Sequence, residues 1–148
     1  MPETKVVQIP DYRFSSTDWP IVSLVVNVAT LANRFGFTID HWQEGGLGSA
    51  SGMLLSLASG RVVLLCELEH AVRYLDAKGP TIHVEASQLA QYGVEPLVNE
   101  VLDALELSRE ATDWIAPVEA QAGAADLLAR LGEYVAKRDR ATGGEPFK

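Results

Sequence analysis

Residues 53–68, MLLSLASGRVVLLCEL, restrict the fold more than any other stretch of the chain: two apolar, strand-forming runs separated only by Ser59, Gly60 and Arg61. A connection that short can join only antiparallel neighbours, and each run must find backbone partners for its N–H and C=O groups. The hairpin therefore implies a sheet, and other segments supply strands for it. FTIDHWQ (37–43) alternates, with Phe37, Ile39 and His41 on one face and Thr38, Asp40 and Trp42 on the other. TIHVEA (81–86) reads as a further strand, KVVQI (5–9) and YRF (12–14) as short ones, and ATDWIAP (111–117) as an edge strand stopped by Pro117.

Helices are expected between and after the strands. The first is read over 18–35, with Asp18 as N-cap, Pro20 in the first turn and Gly36 as the terminating C′ glycine. Ile21, Leu24, Val25, Val28, Leu31, Ala32 and Phe35 would form its apolar face, widened by Val22 and Val26. SQLAQYG is a short helix ended by Gly93. VEPLVNEVLDALEL starts at Pro96, with Leu97, Val98, Val101, Leu102 and Leu105 on one side and Glu95, Asn99, Asp103 and Glu106 on the other. Residues 118–138 form a last amphipathic helix, and 139–148 read as a frayed tail. The fold class is α+β: an antiparallel sheet of about four to six strands with three to four helices packed mainly on one face, in a single domain spanning 1–138.

Charge and cysteine content limit the function classes. The formal net charge is −8, and the segment 118–148 holds five acidic and five basic residues, so the acidity belongs to the rest of the chain. Such a surface repels nucleic acid and anionic lipid and attracts basic partners. One cysteine, Cys66, allows no internal disulfide, and MPETKVVQIP lacks the features of a signal peptide, so a reducing cytoplasm is expected. IVSLVVNVATLA (21–32) is too short and too polar to span a bilayer.

The end of the RVVLLCELEH strand (61–70) is the first candidate site. Strand parity groups Val62, Leu64, Cys66, Leu68 and His70 on one face and Val63, Leu65, Glu67 and Glu69 on the other. The face with Cys66 reads as the core side. The acidic face reads as open, where His83 and Glu85 from the next strand could join Glu67 and Glu69, with Asp40 and Trp42 nearby. Carboxylates beside an imidazole can serve general acid–base chemistry, so Glu67, Glu69, His83 and Glu85 are the catalytic set if the chain is an enzyme.

Other patterns fail their chemistry. His41, His70 and His83 lack metal-ligand spacing, so no metal is expected. Cys66 is flanked by acids and apolar residues, the reverse of what activates a thiolate. EGGLGSASG has no P-loop lysine and runs into a strand rather than a helix, and no G-x-S-x-G elbow exists. No cofactor is expected. The reading that follows is a non-enzymatic, cytoplasmic protein-binding module of the bacterial immunity or antitoxin type. It would occlude a basic partner protein with Glu67, Glu69, Glu95, Asp103 and Glu106, and Trp42 would serve as an aromatic anchor. A small hydrolase or metal-assisted enzyme using the Glu/His cluster is the first alternative. A scaffold subunit that dimerises through residues 118–138 is the second.

Overall fold

The computed structural model describes residues 6–9, 18–43, 49–68 and 79–141, with backbone alone at 18, 43, 68 and 134–141. Among these residues seven strands form one antiparallel sheet: β1 (Val7–Gln8), β2 (Asp18–Leu24), β3 (Asp40–Gln43), β4 (Ser49–Ser56), β5 (Val62–Leu68), β6 (Thr81–Glu85) and β7 (Thr112–Ile115). Their order is β1-β4-β5-β6-β2-β7, with β3 also pairing β4. Among the described residues four α-helices accompany them: α1 (Val28–Phe35), α2 (Ala86–Tyr92), α3 (Val94–Ala104) and α4 (Ala120–Ala141). The architecture is α+β, as the strand and helix patterns require.

The hairpin that dominates the sequence is the centre of the sheet. β4 and β5 pair in register from Ala50↔Leu68 to Ser56↔Val62. β4 begins at Ser49, so the second half of the glycine-rich stretch is strand rather than loop. Gly52 explains itself there: a Cβ at this position would lie 2.0 Å from the Leu65 carbonyl oxygen and 2.8 Å from Cys66 Cα. Only glycine permits that approach.

The expected long helix over 18–35 is two elements. Residues 18–24 are β2, seated between β6 and β7, and the helix begins only at Val28. Ile21, Val22, Ser23 and Leu24 are all fully buried, so the strand shows no exposed side. A run that is apolar on every side gives no periodicity to separate helix from strand, and Ile21 and Val22 favour the strand. Pro20, which has no N–H to donate, stands where the β2–β6 register shifts between Pro20 and Val22. The N-cap is Asn27, not Asp18: Asn27 Oδ1 accepts from the Thr30 N–H at 2.8 Å. Gly36 ends the helix at φ 75°, as read from the sequence.

The helices lie on one face of the sheet. Met53, Leu55, Val63, Leu65, Ile82 and Val84 form a single core with Val28 and Leu31 of α1, Leu89 of α2, and Leu97, Val98, Val101 and Leu102 of α3. α4 packs its first half on α2, with Ala120 and Ala124 buried. It runs on to Ala141, past the expected boundary at 138. The assignment of faces on β5 is the reverse of the expected one. Val63, Leu65 and Glu67 share the helix-covered side, and Cys66 lies on the other, although it too is buried at 6% exposure. Among the described residues no helix is long and apolar enough to cross a membrane.

Candidate functional site

Glu67 sits where β5 meets the start of α1. Its Oε1 accepts a hydrogen bond from the Val28 N–H at 2.9 Å. The first N–H groups of a helix have no partner within it, and the N-terminus carries partial positive charge, so a carboxylate there is doubly favoured. Glu67 and Asn27 thus each take one of the free donors of α1, the Val28 and Thr30 N–H groups. This acid is an internal cap supplied from another element, not a group free to meet a partner.

The register separates it from its presumed companions. Leu64 pairs with His83 and Leu65 with Ile82, so His83 and Glu85 lie on the face of Leu64 and Cys66, opposite Glu67. Ser51 stands opposite Glu67 and His41 opposite Ser51, so the histidine that does share the Glu67 face is His41. His41 Nδ1 lies 3.0 Å from Ser51 Oγ. Trp42, on edge strand β3, is half-buried and falls on the other face, aligned with Ala50 and Leu68. Glu69 and His70 lie outside the described residues. The set Glu67, His83 and Glu85 therefore does not converge on one substrate. Among the described residues no group of three or more His, Cys, Asp or Glu side chains could hold a metal ion.

The acidic side of α3 is the group that holds together. Leu97, Val98, Val101 and Leu102 fix one side of the helix in the core, which turns Glu95, Asn99 and Asp103 outward. Glu106 follows, exposed, in the left-handed conformation at φ 57°. It occupies the position where glycine usually terminates a helix, while the Leu107 N–H bonds back to the Leu102 carbonyl at 2.8 Å. Glu110 is exposed beside it.

Two cations limit this acidity, and residue spacing in the sequence indicates neither pairing. Arg109 pairs with Glu95 and donates to Asn99 Oδ1 at 3.4 Å. Both partners are largely exposed, so the pair adds little to stability, but it neutralises one end of the stripe. Arg61, from the hairpin turn, pairs with Glu100 at the side of α3, and its guanidinium carbon stands 4.3 Å from the Tyr92 ring centroid. That cluster ties the β4–β5 turn to α2 and α3 and removes Glu100 from the exposed row. A sequence signal for it was present in the lone Arg61 among apolar residues, but its partner is 39 residues away. Arg61 and Arg109 leave Asp103, Glu106 and Glu110, three exposed acids within eight residues of chain at and after the end of α3. Such a run can steer and orient a cation. Comparison with family models, curated proteins and solved structures finds no match for the chain.

Proposed function

We propose that this chain is a non-catalytic acidic binding module for a basic protein, in the manner of bacterial immunity or antitoxin-type inhibitors. The observation that carries the reading is the run of exposed acids at the end of α3: Asp103, turned outward by a helix whose other side is locked in the core, followed by Glu106 and Glu110, both exposed. A net charge of −8 extends the attraction beyond that contact. Recognition would work by charge complementarity: the acidic field raises the encounter rate, and the rigid helix sets the orientation of the docked partner. Glu95 contributes after exchanging Arg109 for a partner cation. Glu67 is left out of the surface because its carboxylate already serves α1. A single, buried cysteine suits a reducing cytoplasm as the place of action.

The test is salt-eluted capture of a basic protein on the immobilised chain, followed by association kinetics with the captured protein. The rate constant is expected to fall about tenfold between ~0.05 and ~0.5 M NaCl, and about threefold in an Asp103→Asn/Glu106→Gln/Glu110→Gln variant. A rate indifferent to both salt and these substitutions overturns the reading.

A further inference from the structure

We infer that the basic partner proposed above docks by adding an extended segment to β7, the outermost strand beside the acidic run of α3. The inference rests on that reading and gives the mode of contact at the same site. β7 ends the strand order, and β2 is the one strand it pairs with among the described residues. All four of its residues stay half-exposed, whereas Ile21 to Leu24 of β2 are buried. An open sheet edge is a template for another strand unless something blocks it.

The register shows which backbone groups face outward. The Ala116 N–H donates to the Ile21 carbonyl at 2.9 Å, and the next pair along is Val22 with Ile115. Hydrogen-bonded and non-hydrogen-bonded positions alternate along an antiparallel pair, so Ile115 turns both its N–H and its C=O away from β2. Those two groups can meet one residue of an added antiparallel strand. Apolar surface is at hand as well. Trp114 and Ile115 are half-exposed on opposite faces, and Val118, just beyond the strand, is 71% exposed.

Charge selects the occupant. β7 carries neither lysine nor proline, the usual guards of an edge, and its one charged residue is the acid Asp113. Glu106 and Glu110 precede the strand and Glu119 follows it, all exposed. Arg109, the base among them, is taken up by Glu95. A second copy paired antiparallel about Ile115 would bring Glu119 of each chain toward Glu110 of the other, and like charges oppose that pairing. A strand with lysine or arginine at alternate positions meets the same acids as ion pairs and keeps its apolar residues for Trp114 or Ile115.

A fluorescein-labelled heptapeptide of alternating Lys and Val, titrated with the full chain at ~0.05 M NaCl, tests this by anisotropy. N-methylation of its three central amides removes donors on both edges and leaves its charge unchanged; it is expected to weaken binding about tenfold. Ile115→Pro removes the outward N–H without breaking a bond to β2, and is expected to weaken binding about tenfold with the circular dichroism unchanged. Ile115→Val should bind within about twofold of wild type. Equal binding of the methylated peptide or of Ile115→Pro overturns the strand mode, as does no binding at ~1 mM peptide. Equal binding of an alternating Thr and Val heptapeptide overturns the charge selection. A chain that dimerises until Ile115→Pro is introduced overturns the inference in favour of a second copy. The reading beneath it fails separately, if the captured basic protein associates at a rate indifferent to salt.

Discussion

Glu67 shows how one side chain can look like surface chemistry and belong to the fold. Parity correctly grouped it with Val63 and Leu65, but parity cannot say which face of a strand the helices cover. Only the arrival of α1 makes its carboxylate a cap on the Val28 N–H. Glu67→Ala is expected to destabilise the chain by about 1–2 kcal/mol, from a lost cap and a lost charge at a helix N-terminus. Glu67→Gln, which keeps an acceptor oxygen, should lose about half of that. Urea unfolding measures both, and an alanine variant within ~0.3 kcal/mol of wild type would refute the capping role. Glu106 is a second residue whose character comes from its setting: the sequence identified an exposed acid, and the structure adds a left-handed backbone at a helix end.

At the scale of elements, the hairpin and the segment 18–35 make opposite cases. β4 and β5 were legible because two apolar runs on a three-residue connection have one economical arrangement. Their tightest point is Gly52, whose missing Cβ lets β5 pass at pairing distance. Gly52→Ala is expected to cost about 3 kcal/mol or more, since the clash is with backbone atoms that cannot rotate away. Loss of amide-exchange protection across β4 and β5 would report it, and a melting temperature within ~2 °C of wild type would count against it. In residues 18–35 the sequence pattern does not separate strand from helix, because Ile21 to Leu24 are fully buried, which erases the contrast that periodicity needs. Asn27, a good cap in the interior of the expected helix, was the local sign of a later start.

The whole molecule is an acidic body with a balanced terminal helix. Self-repulsion among acids opposes the compact state and is screened by salt. Raising NaCl from ~0.01 to ~0.2 M is therefore expected to raise the melting temperature, by about 3 °C for a chain of this size. Calorimetry checks the sign. A fall would mean that the Arg61–Glu100 and Arg109–Glu95 pairs outweigh the general repulsion.

By itself the sequence determined the fold class, the central hairpin, α2, α3, the edge strand β7 and the acidic outer row of α3. Each of these rests on local information: turn length, residue spacing and helix-stopping glycines. The tertiary structure alone decided which sheet face the helices cover, that β2 is a strand, and that Glu67 and His83 stand on opposite sides. It also decided which acids are already paired, since Glu100 meets Arg61 across 39 residues. The division has one physical cause. Backbone preference and amphipathic spacing act over a few residues, whereas burial, ion pairing and helix capping depend on which distant segment folds against them.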